Sequence, residues 1–146
     1  MKVADILKIK GDAVHIAYSW TTIAEALQRL AGPPEIGALV VSDDGRGHIR
    51  GIITEREIVR DLHTHGAALL GQPVAKFMRH TVPTCAPEDT LGQLMVQMTR
   101  SRHRHLPVVR DGVVCGLVSI GDVVRHRLGE MQLENDVLRD MYLAHQ

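Results

Sequence analysis

Residues 51–60 read GIITEREIVR, and residues 116–125 read GLVSIGDVVR, 65 positions later. Each stretch sets a glycine and a short apolar run before a hydroxyl, Thr54 or Ser119. An acid follows three residues on, Glu57 or Asp122. A sentence written twice settles architecture before any local assignment, because each copy must be a similar unit. The repeat extends upstream. Thr22-Ile23-Ala24-Glu25 matches Thr90-Leu91-Gly92-Gln93 at an offset of 68, and Val3–Leu7 maps onto Val74–Met78 at 71. The offset shrinks towards the C-terminus, so the second copy is tighter, with the lost residues in loops, where length changes are tolerated.

Local signals give each copy the same element order. Ile23, Ala26, Leu27 and Leu30 keep helical spacing, as do Leu91, Leu94, Met95 and Met98. Thr22 with Glu25, and Thr90 with Gln93, have capping-box spacing at the helix starts. Apolar runs follow at 38–41 and 106–109, closed by the turn signals Asp44-Gly45 and Asp111-Gly112. Second strands are expected at 49–53 and 113–118, with new helices from Thr54 and Ser119. Units of about 60 residues bury too little surface to stand alone. The sequence therefore predicts a mixed α/β fold (α+β in its segregation). Two β-α-β-β-α repeats pack with pseudo-twofold symmetry, and a C-terminal helix follows. The expected divisions are 1–66, 67–129 and 130–146, with a linker over 63–73 broken by Gly66, Gly71 and Pro73.

Composition narrows the function classes. The 146 residues are 45% hydrophobic but only 3% aromatic, so the core must be aliphatic. The formal net charge of zero argues against broad electrostatic capture of nucleic acid. No apolar run reaches the roughly 20 residues of a membrane span, and no signal-peptide pattern precedes Val3. Cys85 and Cys115 read as buried thiols in a reducing, cytoplasmic setting, with a disulfide left open. There is no Gly-x-Ser-x-Gly elbow and no P-loop, so the chain is not expected to be an enzyme.

The duplicated Gly-x-x-Thr/Ser-x-x-Glu/Asp element, the stretch Arg104-His105-Leu106-Pro107-Val108-Val109, and Ser119–Val124 together resemble the tandem cystathionine β-synthase (CBS) domain family, whose paired form is called a Bateman module. The resemblance covers about residues 3–128. It implies a stand-alone regulatory pair without its own catalysis, binding an adenosine-containing ligand between the copies: AMP, ADP, ATP, NAD(H) or S-adenosylmethionine. It also implies homodimers shaped as flat discs.

The candidate nucleotide-binding residues follow from both lines. Ser119 and Asp122 offer a hydroxyl and a carboxylate beside a helix N-terminus, which suits a ribose diol and a phosphate. The same spacing equally makes a capping box. Thr54 and Glu57 repeat the element with a longer acid, and Arg56 adds a guanidinium that can fork onto phosphate or lie solvated. By resemblance, Thr84 lies near the ligand, while Ala38 and Pro107 hold the adenine edge through backbone groups. Arg100–His105 is the dense basic run, in which Arg104 and His105 are the chosen rim contacts. The absence of interleaved aromatics makes nucleic acid a poor partner for it. His103, His105 and His126 lack the spacing of a defined metal site.

Residues 123–146 read as one long helix. Val124, Leu128, Met131, Asn135, Leu138 and Tyr142 form a heptad-like seam, interrupted by Gly129. The seam either packs back on the module or pairs two chains, and homodimerisation is the preferred reading. Two rivals to the sensor stand: a ligand-free dimeric scaffold for a protein partner, and a metal or pH responder built on the nine histidines.

Overall fold

The threonines and the serine identified above start their helices. In the computed structural model, which describes residues 1–34 and 36–145, Thr22 Oγ1 accepts from Glu25 N and caps α2 (Ile23–Ala31). Thr90 caps α4 (Leu91–Ser101) in the same way. Thr54 opens α3 (Glu55–His65), and Ser119 opens α5 (Ile120–Ala144). An N-terminal helix, α1, spans Val3–Lys10. The strands are β1 (Ile16–Ala17), β2 (Leu39–Val41), β3 (Gly51–Ile53), β4 (His105–Arg110) and β5 (Val113–Ser119).

The two copies build matching sheets. β1 runs parallel to β2, with Ile16 opposite Val40, and β2 pairs antiparallel with β3. In the second copy β4 and β5 form the hairpin, and the β1 counterpart is reduced to one parallel bridge between Cys85 and Val108. The Asp111-Gly112 turn takes positive φ at both residues, 53° and 79°, the primed hairpin geometry that suits strand twist. Ala38, Val40 and Ile52 of the first sheet meet Leu117 of the second in a shared apolar layer. A backbone bond from Val114 N to Gly47 O, 2.9 Å, adds a polar tie between the copies.

The helical segments ahead of the two sheets are exchanged. Val3 and Ile6 of α1 lie in the second core with Leu91, Leu94, Leu106 and Val118. Leu69, Val74 and Met78, which precede the second sheet, lie in the first core with Ile23, Leu30, Leu39 and Ile53. The repeat glycines record this exchange. A Cβ on Gly116 would collide with Leu7 Cδ1 at 2.8 Å, and one on Gly51 with Met78 Sδ at 2.6 Å. Leu7 and Met78 are themselves repeat equivalents, so each copy's lead segment covers the glycine of the other.

Two regions depart from the sequence reading. The expected linker is not loose: α3 ends at Gly66, and Gly66–Gly71 turns as a 3-10 helix that buries Leu69 completely. The breakers stop α3, but the apolar Leu69 still finds the first core. The segment matching α1 is shorter than its counterpart, a 3-10 turn at Val74–Lys76 after Pro73. The tail continues α5 without a break, and its seam does not pack back on the module. Leu128, Met131, Leu138 and Tyr142 are all more than half exposed, and Gln146 lies outside the described residues.

Because Ile6 serves the second core, Ile6→Ala is expected to destabilise the chain by about 2–5 kcal/mol. Amide exchange should accelerate in β4 and β5 before β2 and β3. Urea denaturation with residue-resolved exchange checks both, and equal loss of protection in the two sheets would refute the exchanged packing.

Candidate functional site

A cleft of about 840 Å³ opens where the two copies meet. One wall is the start of α3, with Thr54, Glu55, Arg56, Val59 and Arg60. The facing wall is Arg102–His105, which leads from α4 into β4. Ile36, Gly37, Ile52 and Arg79 complete the lining. Five arginines thus face one cavity in a chain of zero net charge, and among the described residues Glu55 is the one acidic side chain on its surface. A cavity of this size matches a nucleotide-sized ligand.

The walls are positioned by simple devices. Thr54 N donates to Glu57 Oε2 at 2.8 Å, and the Thr54 hydroxyl is bonded to the same oxygen. This capping box aims the first turn of α3 at the cleft. The leading N–H groups of that turn have no acceptor within the helix, which favours an anion there. Glu57 is fully buried, and its second oxygen faces the Arg79 guanidinium. Arg79 reaches on to Nδ1 of His103 and is held by paired backbone bonds to Ile52 at 2.9 and 3.1 Å. Opposite, Gly37 permits close approach: a Cβ there would run into the His105 imidazole.

The two cleft histidines are both shifted away from their charged form. Burial pushes the His103 imidazole below its ordinary value, and the Arg79 guanidinium pushes it the same way. His105 is lowered by burial and by the Lys10 ammonium, against the opposing pull of Asp122. The five arginines dominate the cleft's positive charge.

The expected site residues divide. Thr54, Arg56, Arg104 and His105 line the cleft. Glu57 lies directly behind it, engaged by Thr54 and Arg79. Ala38 is fully buried next to Gly37. Pro107 is buried in β4, and its carbonyl already accepts from Cys85 N at 3.0 Å. Thr84 is exposed elsewhere, with its carbonyl bonded to Gln97 Nε2. Ser119 and Asp122 are also outside the cleft lining. Asp122 Oδ2 accepts from Ser119 N at 2.9 Å and from Lys10 Nζ at 2.6 Å. Lys10 Nζ further donates to the Leu117 carbonyl. Its ammonium thus stands against the second-copy element much as Arg79 stands against the first. Burial alone would raise the Asp122 carboxyl, but the Lys10 ammonium and the Ser119 bonds hold it below the ordinary range.

The sequence reading did not single out Arg79, Arg60 or Lys10. Arg79 follows the Val74–Met78 repeat segment and Lys10 ends its α1 counterpart, so a search for cations just beyond the lead segments would have found both. Among the described residues, no group of three or more His, Cys, Asp and Glu side chains is placed to hold a metal. No helix there is long and apolar enough to cross a membrane.

The CBS domain profile matches residues 3–64 and again 74–129. The chain belongs to the CBS-domain family. This CBS pair is 34% identical over 130 residues to the CBS domain-containing protein CBSX3, mitochondrial, of Arabidopsis thaliana, with 84% of the chain and 63% of the plant protein aligned. It therefore spans less than two thirds of that relative's length. Among solved structures it is similar to the CBS-domain containing protein ATU1752 from Agrobacterium tumefaciens, with a TM-score of 0.82 and 41% identity over 87% of this chain and 99% of that one. It is also similar to the CBS domain pair of protein MJ0100 in complex with 5′-methylthioadenosine and S-adenosyl-L-methionine. That match has a TM-score of 0.77 and 25% identity, covering 89% and 98% of the two chains.

The Asp122 interactions make a stability prediction. A carboxyl held below its unfolded value of about 3.9 stabilises the fold above that pH and ceases to do so as pH falls through the folded value. Asp122→Asn is expected to cost about 1.5–3 kcal/mol at pH 7, with the gap to wild type closing in acid. Urea titrations at neutral and acidic pH check this, and a gap that persists unchanged in acid would refute a charge-based role.

Proposed function

We propose that this CBS pair is a regulatory sensor that binds an adenosine-containing ligand, from the set AMP, ADP, ATP and NAD(H), in the cleft between its copies. The observation that carries the reading is the cationic cavity shared by both copies, with the first turn of α3 on one wall and the basic run on the other. The complex of the MJ0100 pair with two adenosine derivatives supports an adenosine-type ligand. The cleft offers positioned cations rather than a nucleophile with its base, which suits recognition rather than catalysis. A sensor of this kind acts by favouring one conformation or one partner when occupied. Its two unpaired thiols suit a reducing compartment such as the cytoplasm, whereas the name of the plant relative places that protein in the mitochondrion.

The apolar seam of α5 supports a homodimer. Val124, Leu128, Met131, Leu138 and Tyr142 lie along one face and are exposed in the single chain. Apolar positions at heptad spacing are what a second helix covers.

Two outcomes are expected. Arg56 stands on the first turn of α3, so AMP should bind more tightly than adenosine. Arg56→Gln should shrink that preference while sparing adenosine, and added salt should weaken AMP more than adenosine. Titration calorimetry at two salt concentrations checks this, and an unchanged preference would remove Arg56 from the phosphate site. Deleting residues 130–146 should weaken self-association, read by light scattering over a concentration series. A truncated chain that dimerises as tightly as the full one would assign the tail another role.

A further inference from the structure

We infer that the cleft is built for a chain of two or more phosphates, so that its preferred ligand is a nucleoside di- or triphosphate rather than a monophosphate. The inference rests on the adenosine reading above and adds the number of phosphates.

Three observations carry it. The first is the pairing of the arginines. Arg79 is engaged by the buried Glu57, and Arg60 by Asp61 at 3.3 Å. Arg56, Arg102 and Arg104 have no carboxylate within ion-pair distance among the described residues. Among the described residues the exposed Glu55 is the one acid on the lining, and water screens it. The second is placement. Arg56 lies on the α3 wall and Arg102 and Arg104 on the facing wall, across about 840 Å³. A single phosphate at the α3 start meets the guanidinium of that wall, whereas a phosphate chain carries negative oxygens on towards the other. Guanidinium and phosphate match in charge and in planar fork geometry.

The third is the backbone of Arg102. It is the C-cap of α4 and takes φ 58°, ψ 23°, the left-handed conformation. Glycine or asparagine usually fills that position, because a β-carbon crowds the backbone there. An arginine held in this conformation places a guanidinium at the cleft rim at the expense of an easier helix end. Strain of this kind concentrates at ligand clamps.

The test is competitive titration calorimetry of the full chain in metal-free buffer with ATP, GTP, AMP and inorganic tripolyphosphate. It is run on wild type and on Arg102→Asn, since asparagine tolerates the same backbone conformation. ATP is expected to bind at least about tenfold more tightly than AMP, and tripolyphosphate should displace it. Arg102→Asn should weaken ATP far more than AMP, bringing the two affinities close together, without lowering the melting temperature. AMP binding as tightly as ATP would overturn the inference and leave the adenosine reading standing. So would an equal loss of ATP and AMP in the variant. GTP matching ATP, with tripolyphosphate still competing, would keep the phosphate-chain inference and overturn the adenosine reading. Failure of all four ligands to bind would overturn both.

Discussion

Glu57 imposes a constraint that much of the module satisfies. A carboxylate with no solvent exposure is costly unless its charge is met. Thr54 meets one oxygen and Arg79 the other. Arg79 can do so only because its segment, though it leads into the second copy, runs alongside β3 of the first. Lys10 and Asp122 repeat the device with the copies reversed. Each carboxylate thus ties a helix start to a cation carried in from beyond an exchanged segment, and the cleft wall inherits its rigidity from that tie.

The same device gives both carboxylates the capping role that their spacing also allowed. Both capping boxes form, so Glu57 and Asp122 spend hydrogen-bonding capacity on their own helices. Arg79 continues from Glu57 to His103, which joins the buried layer to the surface of the cavity. Positive charge is therefore presented on a fixed frame. A ligand meets one guanidinium, that of Arg79, already held in place, so little ordering cost remains for that group at binding.

Much of this was legible in the sequence, for identifiable reasons. Capping hydroxyls, strand runs and the Asp111-Gly112 turn are local signals, and α2, α3, α4, α5 and the strands β2 to β5 begin within a residue or two of where those signals place them, whereas α1 and β1 were not placed. Repeat spacing showed two like units, and their small size required that they pack together. The exchange of lead segments was not legible, because Val3–Leu7 and Val74–Met78 have the same apolar pattern whichever core they enter. Thr54, Arg56, Arg104 and His105, which line the cleft, were picked out because motif and charge run point to them. Arg79 was not, since a lone arginine after a turn carries no local signature and its role comes from crossing to the other copy. The covering of Leu69 was also hidden, because glycines on either side of it resemble a linker.

The glycines at 51 and 116 bear on how such a chain could arise. Each leaves room for a side chain supplied by the opposite repeat, Met78 or Leu7. A polypeptide of half this length, wired the same way, would have a groove over its glycine and a helical arm with nowhere of its own to lie. Two such polypeptides would complete one another by trading arms, a low-cost route to a dimer. Joining them end to end turns the traded arms into internal segments and frees each half to diverge. The arginine-lined face on one side and the lysine-filled element on the other are what that freedom permits.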